Sequence, residues 1–289
     1  MGASRAAARV GGMAFGNGVL MRSQRWWAWS RDDGSVVDGP VLSVLDRHRL
    51  LRLPVVRSVV VFAEMIAMAV RLHRRNGVRP AAALLAWLAA AMLASFAVST
   101  IVPDVVHGEL AGYVVVQALS FALGLIALRQ GMGKTVWRYH GAEHKAVNAY
   151  EAGADLRDAE AVMGFSRIHD RCGTNLVAII FVLMLGSLLL GDQSALLSAA
   201  YAVLAVALAL ELFRLISRRP RSLASRVCLS GGKALQRCLT TREPAYEHLD
   251  LACAALRRVL ELDEADQTRG DDEVDRQTRR ATKSRMSER

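Results

Sequence analysis

The sequence is short of aromatic residues, proline and paired cysteines. Among its 289 residues, 6% are aromatic and 6 are proline, whereas 53% are hydrophobic. The 4 cysteines form no Cys-x-x-Cys pair, so a disulfide framework like those of small secreted domains is not expected. Three of the cysteines fit the role of small apolar residues in amphipathic helices. The hydrophobic content lies instead in long runs of alanine, leucine and valine.

Charge is missing from several of these aliphatic runs. Residues 81–103, 110–128 and 175–191 contain no charged side chain, and residues 194–213 contain only Glu211. A helix needs about 20 apolar residues to cross a bilayer. The four runs therefore predict a mainly α fold, a polytopic membrane helix bundle whose partner is the lipid bilayer.

Lysine and arginine are missing from two connections between these runs. Residues 104–109 and 192–193 contain neither, whereas 71–80, 129–174 and the segment after residue 213 are rich in arginine. Basic loops remain on the cytosolic side of a membrane. We therefore expect a multi-pass protein of the cell membrane (inner or plasma membrane) with both termini in the cytosol. The same loops account for the net charge of +10 without a nucleic-acid partner.

The apolar stretch at 54–70 is shorter than the others and contains charge. Arg57 and Glu64 lie within it, and it falls below the roughly 20 residues of a spanning helix. We expect an interfacial or re-entrant helix here; the alternative is a fifth span, which would put the amino terminus outside. In apolar surroundings Glu64 requires a partner, either a metal ion or Arg57.

The amino-terminal region, residues 1–53, has the features of a small cytosolic β module. Residues 11–23 are interrupted by glycines and predict a loop that approaches other backbone closely. Asp33-Gly34 lies between aromatic and β-branched residues and predicts a β-hairpin. The tryptophans within residues 26–29 would lie either at the bilayer interface or against the hairpin.

The rest of the chain divides into three segments. The membrane domain spans 54–221 and includes a cytosolic segment at 129–174. Residues 222–262 return to helical periodicity and predict amphipathic helices docked on the protein or on the membrane surface. Residues 263–289 are charged and nearly free of aliphatic side chains, which predicts a disordered tail. The apolar stripe of the amphipathic segment consists of Leu249, Ala252, Cys253, Leu256, Val259 and Leu260.

Two histidines and a glutamate recur at helical spacing between Tyr139 and Lys145. His140, Glu143 and His144 spell H-x-x-E-H, the inverted form of the zinc-hydrolase helix motif. Positions i, i+3 and i+4 of a helix share one face. The three side chains would therefore converge, with the two histidines as metal ligands.

The third ligand of such a zinc site is expected from residues 167–174, with His169 as the first choice and Cys172 as the second. A catalytic zinc ion takes three protein ligands and keeps one position open. Glu143 would then be the general base. In the structural alternative, the histidines donate to backbone carbonyls and Glu143 pairs with Lys145 or an arginine.

The same residues resemble motifs of a known protein family. The run from Tyr139 to Lys145 is similar to the central motif of the YqhQ-like family (DUF1385), bacterial membrane proteins of unknown function. The other motifs of that family, in its order, resemble residues 11–12 with 18–22, residues 167–174 and residues 240–244. The resemblance covers residues 10–262.

The resemblance implies a metal-dependent enzyme, which is how the family is often described. The residues that it groups are His140, Glu143, His144, His169 and Cys172, with Arg171, Arg242 and Glu243 as further candidates. One departure concerns the amino-terminal motif, where family members usually have glutamine and glutamate and this chain has Met13 and Asn17. If that glutamate binds metal or takes part in catalysis, the site of this chain is altered.

Two functions are compatible with these observations. The first is a zinc-type hydrolase that acts near the cytosolic membrane face on a membrane peptide or a lipid-linked molecule. The alternative is a non-catalytic membrane assembly factor or a transporter-like protein whose His/Glu cluster is structural. Nucleic acid is not an expected partner, because the basic residues are divided among membrane-flanking loops. A homo-oligomer is also compatible with the sequence.

Overall fold

The computed structural model describes residues 9–45, 48–75, 110–186, 194–218 and 222–287. The expected span at 81–103 lies outside the described residues. The strands are β1 (Gly11–Phe15), β2 (Gly18–Arg22), β3 (Trp26–Arg31) and β4 (Val36–Pro40). The described helices are α1 (Val56–Arg75), α2 (Leu110–Glu151), α3 (Ala159–Met163), α4 (Gly173–Leu185), α5 (Ala195–Ile216), α6 (Leu223–Leu235) and α7 (Tyr246–Ser287), with a 3-10 turn at Arg49–Arg52 and a π-helix at Gln236–Thr240.

The chain forms two compact units that do not follow the order of the sequence. Unit 1 takes its described residues from 1–42, 142–165 and 244–289, and unit 2 takes them from 43–141 and 166–243. Both units share helix α2, whose residues up to Gly141 count with unit 2. Packing thus groups described residues from the first and last parts of the chain in unit 1.

Unit 1 contains a four-stranded antiparallel sheet in the order β1-β2-β3-β4. The hairpin expected around Asp33-Gly34 is present as β3–β4. The loop expected at 11–23 is wrong, since this segment forms the β1–β2 hairpin with Phe15 opposite Gly18. Gly18 has a φ of 151°, a conformation that residues with a Cβ rarely adopt. The glycines therefore permit a tight hairpin rather than a loop.

Helix α7 covers this sheet with the apolar stripe expected from the sequence. It packs against β2 and β3, and Leu249, Leu256 and Val259 are fully buried. The amphipathic segment thus docks on protein. Burial also raises the pKa of the Cys253 thiol to about 11. The β3 tryptophans pack within the sheet: the Trp29 ring lies 5.0 Å from that of Phe15, which favours hairpin packing over an interfacial role.

Residues 263–287, where the sequence predicts a disordered tail, continue helix α7. The backbone of this charged segment is therefore helical.

Unit 2 is built from helices. Its buried cluster joins α4, α5 and α6 through residues that include Leu176, Leu210 and Leu229, and Phe62 of α1 packs against it. Where α4 and α6 approach, Gly232 lies directly against Asn175. A Cβ at Gly232 would lie 2.9 Å from Cγ of Asn175, so only glycine allows this separation.

Two of the described helices are long and apolar enough to cross a membrane, one running from Val114 to Glu151 and the other from Leu196 to Ile216. The first belongs to α2, which bends at Gly133, where φ is 77° and ψ is 164°. Glycine adopts this non-helical conformation without steric cost. The bend separates the apolar first part of α2 from its polar second part.

The partners expected for Glu64 are not the ones found. The Glu64 carboxylate accepts hydrogen bonds from the Ser43 hydroxyl at 3.1 Å and from the backbone N–H of Val44 at 2.6 Å. Arg57 instead pairs with Glu211 at 2.7 Å. A carboxylate that caps a turn in this way is stabilised without a metal ion or an arginine, so Glu64 belongs to the fold of unit 2.

Candidate metal centre

The second part of α2 positions the two histidines of the H-x-x-E-H run. His140 and His144 are one helical turn apart on one face of the helix. His144 is 2% exposed and Glu143 is 6% exposed. Polar residues of a helix usually face water, whereas these two side chains do not. Burial therefore sets these side chains apart from ordinary surface residues.

Cys172 lies beside the first histidine. It is the N-cap of α4, where its sulfur accepts from the backbone N–H of Thr174 at 3.4 Å. Its Sγ is 3.3 Å from Nε2 of His140. The ligand atoms of His140, His144 and Cys172 all lie within 4.8 Å of one another. These three residues form a possible metal-binding group, which we call the His/Cys group.

A backbone carbonyl fixes the orientation of the His140 ring. The Nδ1 atom lies 2.7 Å from the carbonyl oxygen of Thr240. A carbonyl only accepts, so Nδ1 carries the proton and donates. In the neutral ring, Nε2 then presents its lone pair toward the sulfur of Cys172. Metal-ligating histidines are held in the same way by a hydrogen bond at the other ring nitrogen.

The geometry of this pair suits a tetrahedral zinc ion. Zinc holds a thiolate sulfur at about 2.3 Å and an imidazole nitrogen at about 2.0 Å, which places the two ligand atoms roughly 3.5 Å apart. The sulfur and nitrogen of Cys172 and His140 are separated by 3.3 Å. The donor set of two imidazoles and one thiolate is one that zinc accepts.

The structure does not place the preferred third ligand, His169, in the His/Cys group. The Nδ1 atom of His169 accepts from the backbone N–H of Arg171 at 3.3 Å. Its own backbone N–H donates to Oε1 of Gln236 at 2.9 Å. Cys172, the second choice, is the third member of the His/Cys group, with its sulfur beside His140 of α2.

Glu143 also lies outside the His/Cys group, against the first strand of the sheet. A Cβ on Gly12 would lie 2.9 Å from Cγ of Glu143, so the glycine leaves room for the glutamate. The neighbouring Lys145 donates to the carbonyls of Met163 and Phe165 at 2.6 and 2.8 Å. Gly12 of the amino-terminal motif and Glu143, which are distant in sequence, therefore meet in unit 1.

Polar residues that sequence reasoning missed hold the turn before α4. Gln236 and Asn175 are fully buried. Gln236 donates to the carbonyl of His169 at 3.1 Å and to Oδ1 of Asn175 at 3.2 Å. The Thr174 and Thr240 hydroxyls lie 3.0 Å apart. No periodicity of helices or strands relates position 175 to position 236. The local sequence therefore contains no pattern that predicts this network.

Two of the remaining candidates line an open cleft in unit 2 with a volume of about 350 Å³. We call it the arginine cleft; its lining consists of Arg129, Arg138, Arg167, Arg237 and Arg242, with Thr241 and Glu243. Two of the residues suggested by the resemblance, Arg242 and Glu243, are among them. Arg171 does not line the cleft. The other four arginines were missed, since they come from three separate segments.

The described residues define a mainly helical protein with two helices of membrane-spanning length, an amino-terminal antiparallel sheet and a His/Cys group. The profile of the family described as "Protein of unknown function (DUF1385)" matches residues 53–262. The match covers more than half of the chain, and the chain therefore belongs to the DUF1385 family. The family resemblance expected from the motifs is thereby confirmed.

A curated relative is similar over part of its length. "Uncharacterized protein YqhQ" of Bacillus subtilis (strain 168) is 27% identical over 135 residues, which is 45% of this chain and 42% of that protein. The chain thus matches less than half of the length of this relative. No solved structure matches the chain.

The two departures from the family pattern lie in the first hairpin. Met13 pairs with Leu20 across β1 and β2. Asn17 lies in the turn, where its backbone carbonyl accepts from the N–H of Asp32 at 3.0 Å. Both residues therefore have roles within the sheet of unit 1.

Proposed function

We propose that the protein is a membrane-bound, zinc-type hydrolase with its site near the cytosolic membrane face. The observation that carries this proposal is the His/Cys group, in which Nε2 of His140 faces the sulfur of Cys172 at 3.3 Å. The proton on Nδ1 of His140 is committed to the carbonyl of Thr240. The protein thus prepares a metal-ligand tautomer of the ring.

The chemistry of such a site divides between metal and protein. A bound zinc ion would lower the pKa of water to about 7 and polarise a carbonyl or phosphoryl oxygen. Glu143 is the expected proton acceptor: it is one position from His144 and is buried. Hydrolysis breaks one bond of the substrate, adds the water oxygen to one product and returns the proton from Glu143 to the leaving group.

The membrane setting is supported by the apolar surface of two helices. Val115 and Leu119 of α2 are 51% and 50% exposed, and Val203 and Leu204 of α5 are 71% and 62% exposed. Apolar side chains exposed in such numbers on one helix mark a surface that another apolar phase covers. We propose that this phase is lipid and that α2 and α5 belong to a multi-pass bundle of about four spans.

The orientation follows from the positions of the basic residues. Arg129 follows the last residue of the apolar run at 110–128, and the two histidines of the His/Cys group lie farther along the same helix. Under the positive-inside rule this end of α2 faces the cytosol. Both termini are then cytosolic, and the substrate is a membrane peptide or a lipid-linked molecule that reaches the site from the bilayer.

The second candidate is a non-catalytic membrane factor in which the cluster is structural. It is favoured by two hydrogen bonds around the His/Cys group: the His140 ring donates to the carbonyl of Thr240, as the structural alternative expects, and the sulfur of Cys172 donates to the Thr174 hydroxyl at 3.3 Å. The Thr174 hydroxyl in turn meets that of Thr240. A direct contact between Cys172 and His140 completes this network. Metal content and hydrolytic activity distinguish the two candidates.

The first experiment measures zinc in the full chain purified in a neutral detergent. We expect stoichiometric zinc in the wild type, loss of zinc in His140→Ala and Cys172→Ser, and retention in His169→Ala. His48→Ala, which removes an exposed histidine, is the matched control. Zinc-free wild-type protein, or zinc that persists without His140, would contradict the metal site.

The second experiment tests hydrolysis without a known substrate. Membranes from cells lacking the protein are incubated with zinc-loaded enzyme in oxygen-18 water, and the products are screened by mass spectrometry. We expect a product labelled with oxygen-18 from wild type and none from Glu143→Gln, although this variant keeps its zinc. Zinc binding without any labelled product would overturn the hydrolase and support the structural candidate.

A further inference from the structure

We infer that the arginine cleft binds a phosphate-bearing anion. The cleft lies entirely in unit 2 and holds five arginines against one glutamate, Glu243. This inference does not depend on the metal site or on hydrolysis, because it rests on charges and contacts within the cleft alone.

Two of the arginines hold the end of the π-helix. Arg129 donates to the carbonyls of Cys238 and Leu239, the latter at 2.6 Å. Arg167 donates to the carbonyl of Thr241 at 3.1 Å and to its hydroxyl at 2.5 Å. The last carbonyls of a helix have no partner within it and attract cations. These two arginines therefore order the wall of the cleft.

The other three arginines lack a balancing carboxylate among the described residues. No described Asp or Glu pairs with Arg138, Arg237 or Arg242, and Nε of Arg242 is buried without a hydrogen-bond partner in the described part of the chain. Glu243 pairs with Arg167 at 3.4 Å and is 60% exposed. Like charges that line one cleft repel one another, and an anion between them would balance their charge.

The chemistry of the lining selects phosphate over a simple carboxylate. Each guanidinium presents a planar fork of donors that matches the oxygens of phosphate, and several forks together match its higher charge. The cleft volume of about 350 Å³ is at the lower end of the range for small-molecule sites. It has room for a diphosphate or for the phosphate portion of a larger molecule.

The position of the cleft along α2 fits two sources of phosphate. Arg129 is the first charged residue after the uncharged run at 110–128, so the cleft begins where the apolar part of the helix ends. A phospholipid headgroup would reach this level from the bilayer, and a soluble phosphate ester would reach it from the cytosol. Both offer the same oxygens to the arginines.

The test uses the full chain in neutral detergent, with inorganic pyrophosphate as the soluble probe in a calorimetric titration. A parallel arm measures the melting temperature in nanodiscs of phosphatidylcholine, with or without phosphatidylglycerol. The variant is Arg237→Gln/Arg242→Gln. The matched control is Arg218→Gln/Arg226→Gln, which removes the same charge from exposed residues of unit 2 outside the cleft.

We expect the variant to weaken binding about tenfold for each arginine, because each loses charge-assisted hydrogen bonds. Pyrophosphate binding identifies a soluble ester as the ligand class, and stabilisation by phosphatidylglycerol alone identifies a headgroup. The inference is overturned if wild type responds to neither probe or if the control double variant loses as much. Arg138→Gln, at an exposed position of α2, replaces the double variant if that protein does not fold.

Discussion

The two units bury different kinds of side chain at their principal helix contacts. In unit 1, the contact between α7 and the sheet consists of apolar residues such as Leu20, Leu249 and Leu256, all fully buried. In unit 2, the contact between α4 and the π-helix buries Asn175 and Gln236 completely. One contact is an apolar core, and the other is a polar network in a position where apolar residues would pack as well.

The difference indicates what each contact does. Burying an amide without hydrogen bonds costs several kcal/mol. The hydrogen bonds of a polar network mainly offset this cost, so the network adds little net stability even when every bond is formed. It does fix the positions of its members. The network in unit 2 holds the turn from His169 to Cys172, which carries the sulfur of the His/Cys group. The apolar contact in unit 1 therefore contributes mainly to stability, whereas the polar contact in unit 2 fixes the position of the turn that carries Cys172.

The largest expected effect comes from weakening the apolar contact. Leu256→Ala removes a fully buried side chain of α7 and should lower the free energy of unfolding by about 2–5 kcal/mol through lost burial and a cavity. Amide hydrogen exchange followed by mass spectrometry is the measurement, with loss of protection expected in α7 and β2. Leu42→Ala, at a position 75% exposed in the same unit, is the control and should change little.

A smaller effect on stability, with a different consequence, is expected from the polar contact. Gln236→Leu leaves the N–H of His169 and Oδ1 of Asn175 without their partner and should cost about 1–3 kcal/mol. Because Gln236 positions the turn before α4, zinc retention against a chelator should also fall about tenfold.

The comparison between the two units depends on the measurement of zinc retention in Gln236→Leu. Gln130→Leu, the same substitution at an exposed position of α2, should leave both stability and zinc retention unchanged. If Gln236→Leu destabilises the protein without altering zinc retention, the polar contact has no positioning role and the distinction between the units is lost.

The smallest expected effect is a pH dependence of unit 1. Burial raises the pKa of Cys253 to about 11 from an ordinary value of 9.0. The neutral thiol is therefore favoured in the folded chain. Its contribution to the free energy of unfolding is complete below pH 9 and is lost as the pH rises from about 9 to about 11. At pH 10 the loss should be about 1 kcal/mol.

The measurement is the difference between wild type and Cys253→Ala in denaturant unfolding at pH 8 and pH 10, because the variant lacks this titration. Equal pH dependence of the two proteins would contradict a buried, neutral thiol and would imply that the α7 contact admits water at this position.

The sequence was most informative where local pattern and packing agree. The mainly helical chain, the β3–β4 hairpin and the buried stripe from Leu249 to Val259 follow from periodicity and turn chemistry. The β1–β2 hairpin was missed because its glycines favour loops as well as tight turns. The helical continuation of α7 over 263–287 was missed because a charged segment with few aliphatic residues is also typical of a disordered tail.

The candidate site was less accessible to the same reasoning. Helical spacing relates His140 to His144 directly, but the choice between His169 and Cys172 depends on the direction of a turn that no periodicity describes. The orientation of the His140 ring depends on a carbonyl a hundred residues later in the chain, that of Thr240. Contacts of this length arise from tertiary packing, so only a three-dimensional structure reveals them.

Because of the π-helix at Gln236–Thr240, the position of the Thr240 carbonyl depends on the number of residues in this region. Its bond from the N–H of Thr241 to the carbonyl of Gln236 spans five residues, one more than in an α-helix. Removing one residue from this turn would return it to α-helical hydrogen bonding and move Thr240 from its present position relative to α6. The Thr240 carbonyl would then face away from His140, although every side chain of the site would still be present. We therefore expect an insertion or deletion here to disturb the His/Cys group as much as a substitution of His140 or Cys172 does.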